Sequence, residues 1–280
     1  MQENRLNNLV SVIIPCYNAA AYLPDAIYSV LTQTYKAIEI IVVNDGSNDN
    51  SADVIKTFGD KVIAINQANQ GVSKARNTGY ACASGKYICF LDADDWFYPS
   101  NIQLKVDYLI NNPQTGLVHS IVDVTDAELN STGKYLRGKK GKNLVPALLN
   151  LELPIPCPSN VLIRREVLET VGLFDENLST SADFELWVRA CDQFETGMIA
   201  ETGIKYRIHA SSMFTNKTWY KNDVNYIFEK HAAGSIYNWN KFAYKNNFSL
   251  TLNAIRQKSI ISTIYYFYNY LIFLIKSSIG

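Results

Sequence analysis

The chain shows no excess of either charge. Lysine plus arginine number 26, and so do aspartate plus glutamate. Bulk electrostatics therefore give no argument for a nucleic-acid partner, and an anionic ligand would have to be held by local groups. Cysteine is sparse and unpatterned. The five residues Cys16, Cys82, Cys89, Cys157 and Cys191 are odd in number, and no two have C-x-x-C spacing. That argues against a structural zinc site and fits reduced thiols in a cytoplasmic protein. Residues Met1 to Asn8 are polar and contain no apolar run, so no signal peptide is expected. Internal repeats and low-complexity tracts are also lacking, which excludes solenoid and linker architectures.

Apolar residues make up 48% of 280, enough to bury a core in one large domain or a domain with an appendage. Four apolar runs, Val10 to Ile14, Ile38 to Val43, Lys61 to Ile65 and Tyr87 to Leu91, are short and closed by turn residues. They read as strands buried on both faces. Helical spacing recurs between them, in Tyr22, Ala26, Ile27, Val30 and Leu31, and in Val72, Ala75, Thr78 and Gly79. Alternation of this kind implies a parallel sheet, with ligands at the carboxyl ends of its strands. Further on, Ser100 to Asn111 reads as a helix and Leu117 to Val122 as a strand. Asp123 to Lys142 reads as a mobile loop, and Leu151 to Pro158 as a proline-rich, non-helical stretch. Val161 to Ile163 and Lys205 to Ile208 read as strands, Glu166 to Val171 and Asp183 to Cys191 as helices. From Lys217 the pattern is helical and aromatic.

The strand ends carry the chemistry. Asp92-Ala93-Asp94-Asp95 sets three carboxylates within four residues, and they repel one another unless a cation is present. Mg²⁺ or Mn²⁺ would satisfy them, since such ions take a few carboxylates plus phosphate oxygens. The alternative is a solvated acidic turn capping the next helix. Asp45 in Asn44-Asp45-Gly46-Ser47 can accept from a base N–H or a ribose hydroxyl, or simply belong to a helix-capping turn. Tyr17 can stack on a nucleobase, or pack on its own loop. Arg76, in a segment that opens a helix, can fork onto a phosphate or base carbonyl, or be an ordinary surface arginine.

In this order, the segments Ser11 to Asn18, Val42 to Ser47, Gly71 to Gly79 and Phe90 to Asp95 resemble the inverting family 2 glycosyltransferases. The resemblance extends over roughly residues 9 to 210. It implies the GT-A fold: α/β and Rossmann-like, with a mostly parallel central sheet flanked by helices, plus a helical C-terminal extension. The expected domains are 1–215, with a donor half at about 9–115 and an acceptor half at about 116–215, and the extension 216–280. Carried over residue by residue, the resemblance implies that Tyr17 stacks on the base and Asp45 bonds its edge. Arg76 steadies the nucleotide, Asp92 reaches the ribose, Asp94 ligates the metal and Asp95 supports it. Pro15 and Ala93 complete the nucleotide-sugar set.

Val171 to Glu176, followed by Ser181 to Trp187, resembles the family's acceptor-side segment and makes Asp183 the general base. Ala182 departs from the family's usual glutamate, and Asn44 from its frequent aspartate. Tyr206-Arg207-Ile208-His209 falls where the family has an arginine and a histidine near the diphosphate, so His209 is a second candidate metal ligand. Ser159, Asn160 and Trp187 are candidates for the acceptor side, although Trp187 also reads as core.

The resemblance implies single-displacement transfer from a nucleotide-sugar, UDP-linked in preference to dTDP- or GDP-linked, to a saccharide or lipid-linked saccharide acceptor in bacterial surface polysaccharide or lipopolysaccharide synthesis. A catalytically silent nucleotide-sugar binder or scaffold is the alternative. A sugar nucleotidyltransferase would need a glycine-rich basic loop after the first strand, where Pro15-Cys16-Tyr17-Asn18 stands. The apolar tail Ser259 to Ile275, broken by Asn269, is short for a spanning helix. It reads as a peripheral anchor at the inner face of the membrane, or as a helix packed on the domain or in a homo-oligomer.

Overall fold

A computed structural model describes residues 8–150, 152, 154–209 and 217–232. The described elements run β1 (Val10–Cys16), α1 (Leu23–Leu31), β2 (Ile38–Asp45), α2 (Ser51–Thr57), β3 (Ile63–Gln67), α3 (Val72–Cys82), β4 (Tyr87–Phe90) and β5 (Trp96–Phe97). Then come α4 (Asn101–Asn111), β6 (Thr115–Thr125), β7 (Ser131–Leu136), α5 (Val145–Leu149), β8 (Val161–Arg164), α6 (Arg165–Val171), α7 (Ala182–Gln193), β9 (Glu195–Arg207) and α8 (Lys217–Ala232).

One sheet runs in the order β3-β2-β1-β4-β8-β6-β9-β5, with β7 paired to β6. Its first half, β3-β2-β1-β4, is parallel. Beyond it β8 is antiparallel to β4 and to β6, β9 is parallel to β6, and β5 is antiparallel to β9. β1, β4 and β6 are buried along their whole length, so their apolar runs have no polar alternation. α3 lies directly on β1 because its residue facing the strand is Gly79. A Cβ there would collide with the Ile13 side chain.

The expectation of four doubly buried strands fails for β3. This strand sits at the sheet edge, and Ile63 is 44% exposed. The apolar run at Lys61 to Ile65 reflects one anchoring residue, Val62, rather than a covered face. The expected mobile loop from Asp123 to Lys142 contains the strand β7. Its side chains are almost all exposed, so no apolar signal marked it. Its hairpin is closed by Asp126, whose Oδ1 accepts the Glu128 and Asn130 N–H groups. The short helix α5 precedes the proline-rich stretch and was not anticipated.

The chain clusters into two compact units. One comprises Met1–Leu144 and Pro154–Thr215, the other Val145–Leu153 and Asn216–Gly280. Relative to the expected division at 215, the difference is Val145–Leu153. Among the described residues, no helix is long and apolar enough to cross a membrane. The tail 259–275 lies outside the described residues.

The amino end of the sheet is tied by one carboxylate. Glu39 on β2 accepts from the Ser11 hydroxyl on β1, at 2.5 Å, and from the Ser84 and Gly85 N–H groups before β4. Burial pushes its pKa up, but these hydrogen bonds outweigh burial and hold it below the usual range. Stability from such a depressed carboxylate is complete above its unfolded pKa and is lost as pH falls through the folded one. Glu39→Gln should therefore cost about 1–2 kcal/mol at pH 7 in urea unfolding. The gap to wild type should close below about pH 4.

Candidate active site

The carboxyl ends of the parallel strands meet along one edge. Cys16 is paired with Asn44, and Asp45 with Gln67, so Tyr17, Asp45 and Gln67 stand in adjacent positions across three strands. Tyr17 is 50% exposed while Pro15 beneath it is buried. The turns after β1 and β2 are fastened together. Asn18 donates its N–H to the Ser47 hydroxyl at 3.0 Å, and Asn48 donates its N–H to Asn18 Oδ1 at 2.8 Å. Asp45 is buried and spends its carboxylate on the segment leading to α3. Oδ1 accepts from Gln67 Nε2 at 2.7 Å and from Gln70 N at 2.9 Å, and Oδ2 accepts from Gly71 N at 2.8 Å. Gly46, at φ +70°, allows that approach, because a Cβ would stand 2.7 Å from Asn69 N.

The acidic segment after β4 does not gather its three carboxylates. Asp92 Oδ1 pairs with Arg76 at 2.6 Å. Asp94 Oδ2 meets His209 Nε2 at 2.8 Å. Asp95 points inward, accepting the Ser159 hydroxyl at 2.5 Å on Oδ2 and the Arg207 N–H at 3.1 Å on Oδ1. Ala93, between them, is buried. Burial raises the pKa of Asp94, Asp92 adds to the rise, and His209 opposes it. Asp95 is raised well above the usual range by burial and then by Asp94 and Asp92. Among the described residues, no three His, Cys, Asp or Glu side chains form a ready metal cage. Asp94 and His209 are a two-residue oxygen and nitrogen donor pair.

Arg76 on α3 is 5% exposed, stacks 5.0 Å from the Phe174 ring, and keeps a buried Nε without a partner. The rest of α3 grips the segment before α7. Ser73 donates to Leu178 O at 2.8 Å, and Asn77 donates to Phe174 O at 2.9 Å and accepts the Phe174 N–H at 3.2 Å. That grip sets Asp183 at the first turn of α7, beside the charges of Arg76 and Asp92. Burial raises its pKa, Arg76 opposes the rise and Asp92 adds to it.

Arg207 closes the other side. It donates to Asp94 O at 2.8 Å and to Ala127 O at 2.8 Å, pairs with Asp25 of α1 at 2.8 Å, and lies over the Tyr22 ring. Tyr22 in turn packs on His209, with ring centroids 4.6 Å apart. This arginine is therefore committed to holding the acidic segment in place.

The three candidates for the acceptor side all lie in the interior. Ser159 is fully buried, and besides bonding Asp95 it accepts the Asp92 N–H at 3.1 Å. Asn160 is fully buried between Lys105 and Ser120, accepting from Lys105 Nζ at 2.8 Å through its carbonyl oxygen and from the Ser120 hydroxyl at 2.6 Å. Trp187 is 2% exposed, among the core. Ser159 and Asn160 face inward because the proline-rich stretch ends in a 3₁₀ turn, Pro158–Asn160, tucked under β4 and β6. Ser73, Asn77, Tyr22, Asp25 and Gln67 were missed as site residues. Only Ser73 and Asn77 had a signal, their place in the segment that carries Arg76.

The curled mixed sheet with helices on its flanks is the GT-A glycosyltransferase fold. The chain belongs to glycosyl transferase family 2, whose model matches residues 11–172. It is 35% identical to uncharacterized glycosyltransferase RP339 of Rickettsia prowazekii, over 75% of this chain and 67% of that one. It is 30% identical to uncharacterized glycosyltransferase MJ1057 of Methanocaldococcus jannaschii, over 84% and 86%. Among solved structures, S. aureus TarS 1-349 in complex with UDP-GlcNAc superposes with a TM-score of 0.70 at 16% identity, covering 92% of this chain and 79% of that one. Against a longer TarS chain, this chain spans 43% of the length.

Ser159 serves two polar groups of the acidic segment at once. Ser159→Ala leaves the Asp92 N–H and one Asp95 oxygen unbonded in the interior. Unfolding in urea should show a loss of about 2–3 kcal/mol.

Proposed function

We propose that the chain moves a sugar from a UDP-sugar to an acceptor hydroxyl, with inversion at the anomeric carbon and with Asp183 as general base. The observation that carries this reading is the place of Asp183. It is a half-buried residue at a helix start whose carboxyl feels the charges of the Arg76–Asp92 pair near the carboxyl edge of the parallel strands. A single base beside the donor edge fits direct displacement, since the neighbouring Asp92 carboxylate is already held by Arg76. The complex of TarS with UDP-GlcNAc, on the same fold, supports UDP as the carrier.

Each residue has a defined task. Tyr17 offers its ring to the base, and Asp45 holds the segment that borders it. Arg76 fixes the Asp92 carboxylate toward the ribose. Asp183, raised by burial, takes the proton from the acceptor hydroxyl as that oxygen attacks. Asp94 and His209 suit Mg²⁺ or Mn²⁺, since one carboxylate and one imidazole leave most of the coordination to diphosphate oxygens. When bound, the ion stabilises charge on the departing diphosphate.

Asp183→Asn should lower kcat by about 10²- to 10⁴-fold while UDP affinity, measured by calorimetry, stays within about threefold. Because a raised carboxyl pKa means that ionisation costs the fold energy, the same variant should melt at a higher temperature at pH 7. Near-normal turnover would remove Asp183 from the mechanism. For wild type, kcat/KM should fall toward acid pH with a midpoint above the ordinary aspartate range, since the base works only when ionised.

The metal pair is tested separately, by electron paramagnetic resonance of Mn²⁺ in the presence of UDP. Asp94→Ala and His209→Ala should each weaken Mn²⁺ binding about tenfold or more. Unchanged binding in both variants would dismiss the pair as ligands.

A further inference from the structure

We propose that the stretch Arg137-Gly138-Lys139-Lys140-Gly141-Lys142 is a fixed basic strap that docks the protein on an anionic phospholipid surface. Between Leu129 and Leu151 the sequence has five cations, Lys134, Arg137, Lys139, Lys140 and Lys142, and no acidic residue. In a chain whose charges cancel overall, this is a local excess of one sign. All five residues are exposed. Lys56 and Lys74 elsewhere on the surface are each paired with a carboxylate. Lys134, Arg137, Lys140 and Lys142 have no ion-pair partner among the described residues. Glu152, next along the sequence, and Glu195, beside Thr196 of the bridge to Gly141, leave the excess at five cations to two carboxylates.

The backbone of this stretch is fastened at three points. Lys139 donates its N–H to Pro154 O at 2.8 Å. The fully buried His119 donates Nε2–H to Lys139 O at 2.8 Å, since a carbonyl only accepts. Gly141 and Thr196 exchange both backbone hydrogen bonds, at 2.8 and 2.9 Å. The fit requires glycine at 138, where a Cβ would collide with the His119 ring and with Pro154 O. The cations are thus displayed from an ordered strap, and docking does not have to order its backbone. The strap also lies apart from the donor edge. β7 pairs Tyr135 with Asp123 near the end of β6, and the chain then runs back along β6 to His119 and to the start of β9. At about 3.3 Å per residue this is roughly 20 Å or more from Arg207, at the other end of β9. The cations are therefore too distant to clamp the donor diphosphate. Their exposed, unpaired ends line no pocket and suit a plane of lipid phosphates. Tyr135, 50% exposed on the same hairpin, adds an amphipathic ring of the kind that settles at headgroup level.

The test is co-sedimentation of the full chain with vesicles of phosphatidylcholine, alone or with about one third phosphatidylglycerol, at about 0.1 M salt. A cation near such a surface is worth about fivefold in affinity, so Arg137, Lys140 and Lys142 together give about hundredfold. Wild type should prefer the anionic vesicles by that factor, and about 0.5 M salt should abolish the preference. The triple variant R137Q/K140Q/K142Q should bind both vesicles within about threefold of each other. The triple variant K36Q/K56Q/K61Q removes the same charge elsewhere and should keep the preference. Thermal melting checks that both variants are folded, and calorimetry with UDP should show no difference between them, because the strap is remote from the donor edge. Equal binding of wild type to the two vesicles overturns the inference and leaves any attachment to apolar contacts. A preference that survives in folded R137Q/K140Q/K142Q, or is lost equally in K36Q/K56Q/K61Q, overturns it as well. So does binding of the soluble acidic polysaccharide alginate through the strap without binding to the anionic vesicles, which would assign the strap to an acidic glycan.

Discussion

The buried carboxylate of Asp95 holds the site together. It is 1% exposed and ties three separate stretches of chain: its own acidic segment, the 3₁₀ turn through Ser159, and the end of β9 through the Arg207 N–H. Asp92 and Asp94 belong to the short connection between β4 and β5, so this knot, together with Arg76 on Asp92 and Arg207 on the Asp94 carbonyl, sets their direction. The arrangement also changes the electrostatics of the segment. Three adjacent aspartates suggest three negative charges awaiting a cation. In the fold, Asp92 is matched by Arg76, Asp94 faces His209, and Asp95 is pushed toward its neutral form by burial and by its two neighbours. A cation of the kind proposed above would therefore answer to Asp94 rather than to the whole cluster.

Beneath this knot lies a polar interior that supports it. Lys105 on α4 is fully buried, and burial lowers its pKa to about 8. Among the described residues it has no carboxylate partner; its ammonium is held by the Asn160 carbonyl at 2.8 Å and the Asn160 side chain at 3.3 Å. Asn160 in turn donates to Ser120 O on β6. Since Ser159 and Asn160 are consecutive, the anchorage of one to α4 and β6 fixes the other against the acidic segment. A buried ammonium is costly unless its hydrogens are satisfied, so this anchorage is specific rather than interchangeable with a packed apolar side chain.

These two layers differ in how far they could be read from residues alone. The parallel half of the sheet was legible, because Val10 to Ile14 and Ile38 to Val43 are continuous apolar runs of a length that suits covered strands. The ends of those runs located Tyr17, Asp45 and the acidic segment. β7 was not legible, since an exposed hairpin strand such as Ser131–Leu136 carries no apolar alternation. Nor was the burial of Ser159 and Asn160. A serine and an asparagine after three prolines look like a surface loop, and only long-range partners at Asp95 and Lys105 make them interior. Trp187 was legible as core, and it is buried at 2% exposure.

α3 ties Arg76 to the segment before α7, and that tie gives the departure at Ala182 a physical meaning. The helix holds Arg76 on one side and, through Ser73 and Asn77, the stretch ending at Leu178 on another. Asp183 is therefore referred to the same rigid element as the arginine that opposes its pKa rise. The environment already raises that pKa by burial and by Asp92. Ala182 is 1% exposed, so a glutamate in its place would add a second carboxylate at the buried start of α7. Like charges at that distance raise one another, which would push Asp183 further from the ionised form a base requires. With alanine there, the balance at Asp183 is left to burial, Arg76 and Asp92, and α3 carries the arginine that would keep a base at this position ionised.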